Sequence, residues 1–161
     1  MRKSNMVYLS GCIAGSTFDE ASSWRDRACE MLAMHNIECL TPMRGKDGVF
    51  GDKPITLEGY NQYDGIPLAS KKGLTRRDRH DTMNCGCLLV YLKRGYPGDE
   101  RVSIGTMIEV GWADACHNIP IVLVVDEDSK YDHPMLNEIA WYTVNSLEEA
   151  CELIPHVIDN V

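Results

Sequence analysis

The stretch RVSIGTMIEVGWADA, residues 101–115, carries one side chain, that of Glu109, which could do chemistry on an otherwise ordinary amphipathic helix. If Ser103 caps this helix, apolar and small residues recur at helical spacing and predict a buried stripe of Ile104, Ile108, Gly111, Trp112 and Ala115. Glu109 lies directly beside that stripe, near the helix N-terminus. Such a carboxylate either extends to water or is held in a pocket for catalysis.

The start of the same helix could bind an anion. Ser103, Gly105 and Thr106 lie where free backbone N–H groups and the helix dipole favour negative charge, and glycine allows a ligand to approach the backbone. A phosphate or a sugar hydroxyl would fit there. The structural alternative is that Ser103 only caps the helix.

Two further candidates come earlier in the chain. Tyr8 lies in an apolar run and is either a core residue or part of a site. Asp78 and Asp81 are three residues apart on one side of a predicted helix, flanked by Arg76, Arg77 and Arg79. By itself that pattern is also typical of a solvated charge cluster.

The cysteines suggest a metal only weakly. Cys85 and Cys87 follow His80, but a zinc site needs a second pair of ligands, for which Cys116 and His117 are the candidates. We predict instead that Cys87 opens a buried strand as a small apolar residue and that no metal or other cofactor is used. Seven cysteines, an odd number, scattered through predicted strands and helices favour reduced thiols over a disulfide framework.

The elements that must position these residues alternate between strand and helix. Strands are predicted at 6–11, 37–42, 87–92 and 119–125, with a further one in the C-terminal part, and helices at 17–35, 75–84, 103–115 and 146–158. Residues 43–74 are rich in Gly, Pro, Lys and Asp and predict a long irregular loop, often an active-site cover. This order predicts a doubly wound, flavodoxin-like α/β fold with a five-stranded parallel sheet and helices on both faces.

Length and charge limit the classes of function. A chain of 161 residues suits one domain, residues 1–161, with a core of its own. A net charge of −8 argues against binding a nucleic acid polymer. Neither a membrane span nor a secretory signal is apparent, so we expect a cytoplasmic protein.

The order of several motifs resembles that of the nucleoside 2-deoxyribosyltransferases and the related deoxynucleoside 5′-monophosphate N-hydrolases. The matching segments, which together cover nearly the whole chain, are VYLSGCIAG, RDRHDTMNCGCLLVYL, SIGTMIEVGWADA, IPIVLVV and DHPM. The most specific element is S-x-G-T-x-x-E-x-G-x-A with an upstream R-D and an N-terminal aromatic strand that ends in glycine.

The resemblance implies a role for each matching residue. Glu109 matches the nucleophile that attacks C1′ of deoxyribose, Tyr8 the tyrosine that orients it, and Asp78 the aspartate that contacts the departing base. Gly11 and Cys12 match the turn at the sugar end of the ligand. Without a 2′-hydroxyl the oxocarbenium-like transition state is easier to reach, so two carboxyl groups and no metal suffice.

Two positions depart from the transferase pattern. At position 103 the transferases carry an aspartate, whereas this chain has Ser103 and the monophosphate hydrolases also have a serine. A serine tolerates phosphate where a carboxylate repels it. His133 and Met135 match residues that a neighbouring subunit contributes, so the resemblance implies a homodimer or higher even oligomer with shared active sites. Arg44 is a candidate for base contact.

The implied ligands are small molecules: a 2′-deoxynucleoside or its 5′-monophosphate, and a free base. Transfer of deoxyribose to another base is the leading hypothesis, with hydrolysis, in which water replaces the acceptor base, as the alternative. A non-catalytic nucleotide-binding module on the same fold is the alternative of another class.

Overall fold

The computed structural model describes residues 4–46, 54–56, 70–93, 103–117, 119–127, 129, 131 and 133–160. Strands and helices alternate through these residues. In chain order they are β1 Met6–Gly11, α1 Phe18–Ala33, β2 Glu38–Leu40, α2 Lys71–Asn84, β3 Cys87–Tyr91, α3 Ile104–His117, β4 Ile121–Val124, α4 Pro134–Ile139, β5 Tyr142–Val144 and α5 Leu147–Asn160.

The described strands form one parallel sheet of five in the order β2-β1-β3-β4-β5. This confirms the predicted doubly wound, flavodoxin-like fold. The chain leaves β1 to one side to form β2 and returns on the other side to form β3, so the strand order reverses between β1 and β3. Doubly wound sheets bind ligands beyond the carboxyl ends of the strands at that point.

The central strands are buried on both faces, and alternate side chains therefore enter different layers. Val7 and Leu9 of β1 pack in the core that α1 and α5 cover. Tyr8 packs with Val110 and Ala113 of α3 in the core of the opposite face. Since strand side chains alternate with a period of two, Ser10 lies on the same face as Tyr8, under α3.

Helix α1 begins at a capping box. The Thr17 hydroxyl accepts from the Glu20 N–H at 3.1 Å, and the Glu20 carboxylate accepts from the Thr17 N–H at 2.8 Å. Ser70 caps α2 in the simpler way, accepting from the Gly73 N–H at 3.2 Å. With Ser70 as its cap, helix α2 begins at Lys71, four residues before the predicted start at 75. It thus includes the end of the predicted 43–74 loop. Most of that loop, residues 47–53 and 57–69, lies outside the described residues.

The predicted buried stripe of α3 is wrong, because a different face of the helix is buried. Its members Ile104, Ile108, Gly111 and Ala115 are exposed and Trp112 is half-buried. The buried face instead carries Thr106, Glu109, Val110 and Ala113. Hydropathy finds the helical period, but it cannot distinguish an apolar side chain that enters the core from one that lines a cavity.

Among the described residues, no helix is long and apolar enough to cross a membrane.

Candidate active site

A cavity of about 400 Å³ opens where the turn after β1, helix α2 and the start of α3 meet. That volume is in the range of small-molecule sites. Its wall is made of Gly11, Cys12, Ile13, Ala14, Pro42, Lys46, Lys71, Leu74, Thr75, Asp78, Ser103, Ile104, Gly105, Thr106, Ile108, Glu109 and Trp112. Seven residues singled out from the sequence therefore lie on one cavity: Gly11, Cys12, Asp78, Ser103, Gly105, Thr106 and Glu109.

Glu109 projects from the buried face of α3 and is 9% exposed, with its carboxyl group at the cavity wall. The Tyr8 hydroxyl donates to Oε1 at 2.9 Å, and the Ser10 hydroxyl donates to Oε2. Burial raises the pKa of Glu109 to about 7, although both hydrogen bonds oppose the rise. The carboxylate is therefore partly dehydrated, held on both oxygens and able to ionise near neutral pH, which suits a nucleophile.

Tyr8 is held as a hydrogen-bond donor. Burial, followed by the negative charge of Glu109, raises the pKa of the phenol well above its ordinary value. Its proton is therefore retained across the neutral range, and the hydroxyl continues to donate to the carboxylate. Tyr8 is thus a core residue whose hydroxyl holds the carboxylate of Glu109.

Asp78 reaches the cavity from α2 and is paired with its neighbour Arg77. Arg77 donates to Oδ1 from Nε at 3.2 Å and from Nη2 at 3.1 Å. Burial raises the pKa of Asp78, while the positive charges of Arg77 and Lys46 oppose that rise. A carboxyl group with a raised pKa can hold and release a proton, as general acid and base catalysis requires.

The aspartate pair on α2 is divided between two environments. Asp78 lies on the cavity, whereas Asp81, one turn later, is bound by Arg44. Arg44 is not among the cavity-lining residues, so its predicted role as a base contact is not supported by its position. The solvated-cluster interpretation is wrong for Asp78, whose side chain is 17% exposed.

The first turn of α3 serves its own helix and the cavity. The Ser103 hydroxyl accepts from the Thr106 N–H at 3.4 Å and lies 2.7 Å from the Thr106 hydroxyl, so Ser103 does cap α3. Ser103, Gly105 and Thr106 also line the cavity. The cap and the cavity wall are therefore the same residues, at a helix end that favours an anion.

His133 and Met135 lie outside the cavity lining of a single chain. Both are exposed, and the His133 Nδ1 accepts from the Met135 N–H at 3.3 Å to cap α4. Within one chain the site is built without them.

Among the side chains that the structure describes, the cysteines and His80 do not gather at a site. Cys87 opens β3 fully buried, as predicted, while the His80 side chain is 75% exposed. In the described part of the chain, no three His, Cys, Asp or Glu side chains are grouped so that they could hold a metal ion. The side chains of Cys116 and His117 lie outside what the structure describes.

Three residues that the sequence analysis did not select support the site. Ser10 binds Glu109, and the period of the strand signals it, since it lies two residues after Tyr8. Arg25 of α1, 1% exposed, donates to the carbonyl oxygens of Leu9 at 3.3 Å, Gly11 at 3.0 Å and Ala21. It thereby holds the end of β1 from the opposite face of the sheet. Lys46 lines the cavity although no sequence pattern indicates that it is buried.

No protein-family model and no curated protein sequence matches this chain. Among the solved structures that match it, two align over nearly all of the chain. The CMP N-glycosidase BcmB of Clostridium botulinum has a TM-score of 0.54 and 19% identity, and the match covers 92% of this chain and 96% of that one. The molybdenum cofactor binding protein of the phototrophic bacterium Rippkaea orientalis has a TM-score of 0.60 and 19% identity, covering 98% and 99%. At this identity the matches establish a shared fold.

Proposed function

We propose that this protein cleaves the N-glycosidic bond of a 2′-deoxynucleoside or its 5′-monophosphate and transfers the deoxyribose to another base. The observation that carries the proposal is the Glu109 carboxylate, bound by Tyr8 and Ser10 at the wall of a cavity that also holds Asp78. The motif resemblance and the fold shared with a protein named CMP N-glycosidase point to the same chemistry.

In the first step a Glu109 carboxylate oxygen forms a bond to C1′, and the bond from C1′ to the base nitrogen breaks. The electron pair of that bond passes to the base, which takes a proton from Asp78. Tyr8 and Ser10 orient the carboxylate, and Asp78 reduces the charge that the leaving base must carry.

In the second step the acceptor base attacks C1′ through a ring nitrogen and gives its proton to Asp78. The bond from C1′ to Glu109 breaks, and its electron pair restores the carboxylate. Two displacements at C1′ give net retention of configuration.

Hydrolysis is the second candidate, and the name of the glycosidase neighbour favours it. Water then replaces the acceptor base and the product is the free sugar or its phosphate. The catalytic residues are the same, so the products must decide between transfer and hydrolysis.

A non-catalytic nucleotide-binding protein is the candidate of another class, favoured by the fold shared with a molybdenum cofactor binding protein. Binding alone does not require a buried carboxylate with two hydrogen-bond donors beside a second carboxyl group. Glu109, Tyr8, Ser10 and Asp78 therefore favour turnover.

The α3 end of the cavity supports recognition of a 5′-phosphate. Ser103 and Thr106 hydroxyls and the first N–H groups of α3 present donors there without a carboxylate at position 103. We further propose that His133 and Met135 complete the 5′ end of a neighbouring chain's site. Their exposure in the single chain, 73% for Met135, fits such a role in a homodimer or higher even oligomer.

The experiment that tests the proposed function uses each common 2′-deoxynucleoside and each 5′-monophosphate, with and without a second free base. Transfer produces a nucleoside or nucleotide that carries the added base, and hydrolysis produces free base and sugar regardless of the acceptor. The Glu109→Gln variant should lose turnover while it still binds donor. Full turnover by that variant would overturn the glutamate mechanism, and no product from any donor with the wild-type protein would favour the binding protein.

A further inference from the structure

Lys46 is a buried cation on the wall of the cavity. Lys46 is only 2% exposed, yet it lines the same cavity as Glu109 and Asp78. Placing an ammonium group out of water costs free energy unless charged partners compensate it. A lysine in such a place is expected to have a function.

The backbone around Lys46 is built to hold it there. Gly45 adopts φ +73°, a conformation that favours glycine, and the Lys46 N–H donates to the Met43 carbonyl oxygen at 3.1 Å. Arg77 holds the same turn by donating to the carbonyl oxygens of Pro42 at 2.9 Å and Arg44 at 3.0 Å. Since Arg77 also binds Asp78, one guanidinium group positions both the turn that carries Lys46 and the carboxyl group of Asp78.

Charged groups from three helices act on Lys46. Burial, together with the positive charges of Arg77 on α2 and Arg25 on α1, lowers its pKa to about 8, while the carboxyl groups of Asp78 on α2 and Glu109 on α3 oppose the decrease. Of these charged groups, Asp78 has the largest effect on the pKa of Lys46. Lys46 is therefore a cation at neutral pH, and it lines the same cavity as Asp78, the acid that we assign to the leaving base.

We infer that Lys46 is a further catalytic residue, whose ammonium group donates a hydrogen bond to the departing base beside Asp78. The inference rests on the proposed function. Every common base has an acceptor next to the glycosidic nitrogen, the carbonyl oxygen O2 of a pyrimidine or N3 of a purine, and negative charge develops there as the bond breaks. The electron pair of the bond moves to the base, Asp78 supplies the proton, and Lys46 keeps its own.

The position of Lys46 favours the base over a phosphate as its partner. The two carboxyl groups that act on Lys46 would repel a phosphate dianion. A base is neutral in the ground state and becomes negative only as it leaves, so a cation there acts mainly on the transition state. The donors suited to phosphate lie instead at the start of α3.

The test compares two donors with the same sugar and bases that differ in leaving ability. For a pyrimidine-specific enzyme these are 2′-deoxyuridine and 5-fluoro-2′-deoxyuridine, and for a purine-specific one 2′-deoxyguanosine and 7-methyl-2′-deoxyguanosine, each as the nucleoside or 5′-monophosphate. We expect Lys46→Met to lower kcat/KM about 100-fold for the poorer leaving group and much less for the better one. Lys46→Arg should retain most of the activity, because it keeps a buried cation that can donate.

The controls separate this inference from folding and from the proposed function. Lys72→Met changes an exposed lysine outside the cavity and should behave as the wild type does. Equal losses for the two donors in Lys46→Met would overturn the role of Lys46, while turnover by the wild type would uphold the proposed function. A wild type that cleaves no donor would overturn both.

Discussion

The Tyr8 hydroxyl donates a hydrogen bond of 2.9 Å to the Glu109 carboxylate, joining a strand and a helix whose residues are 101 positions apart. Ser10, on the same face of β1, holds the second carboxylate oxygen. A flexible surface glutamate would have neither constraint. This relationship leaves an acidic residue on an amphipathic helix as an oriented and partly dehydrated carboxylate, as our proposed nucleophile must be.

Loss of either donor should move the pH dependence of turnover. Both hydrogen bonds lower the pKa of Glu109, so Ser10→Ala and Tyr8→Phe should each shift the acid limb of kcat/KM from about 7 to higher pH, by roughly one pH unit. The check is a pH profile of kcat/KM. Ser22→Ala is the matched control, because the buried Ser22 hydroxyl has no hydrogen-bond partner within the described residues. An acid limb that stays in place in Ser10→Ala would contradict the assignment.

Glu109→Gln should be more stable than the wild type above neutral pH. The folded-state pKa, about 7, exceeds the ordinary 4.5, so the carboxyl group contributes most to stability below pH 4.5, and that contribution is lost as pH rises through 7. At pH 8 the variant should gain on the order of 3 kcal/mol, and near pH 4.5 almost nothing. Urea unfolding at several pH values measures the difference. A gain that does not depend on pH would show that the charge of Glu109 is not its cause.

Asp78→Asn should lower kcat about 10²- to 10⁴-fold with little effect on folding, because an amide cannot give its proton to the leaving base. Asp81→Asn is the matched control on the same helix, since Asp81 is held by Arg44 and lies outside the cavity. Steady-state kinetics of the two variants test the assignment. Comparable losses in both would indicate a general effect on α2 rather than proton transfer.

Ser103→Asp should discriminate between phosphorylated and unphosphorylated donors. Aspartate preserves a capping acceptor for α3, but its charge opposes a 5′-phosphate at the cavity wall. We expect a loss of about tenfold or more in kcat/KM for a monophosphate and a small change for the nucleoside. Ser103→Ala and His133→Ala should show the same direction with smaller effects. Equal losses for both donors would refute phosphate recognition.

Mixing two impaired variants tests whether neighbouring chains share a site. In a dimer, Glu109→Gln and His133→Ala chains together form one site with both native residues. Random exchange should therefore restore up to about a quarter of the wild-type activity toward a monophosphate. The assay is activity after co-refolding, beside light scattering for the oligomeric state. No recovery from a mixed oligomer would place His133 outside the neighbour's site.

Much of the fold could be read from the sequence because it follows from local chemistry. Apolar runs that end at glycine or proline, alternating with segments of helical period, are sufficient to predict parallel strands with helices between them, and the sheet confirms this order. Helix α4 and the exact start of α2 were beyond such patterns, since a six-residue helix and a polar capped helix leave little periodic signal.

The sequence by itself determined the strand and helix order and, through the motifs it shares with a known family, the identities of Glu109, Asp78 and Tyr8 as candidates. Only the tertiary structure decided which of two aspartates on α2 faces the cavity, that Ser10 joins Tyr8 on Glu109, and that Lys46 is buried. The structure also showed that the buried face of α3 is not the predicted stripe and that it includes Glu109. The physical reason is that periodicity reports only which side chains share a face of one element. What that face contacts depends on strand pairing and helix packing between residues far apart in the chain.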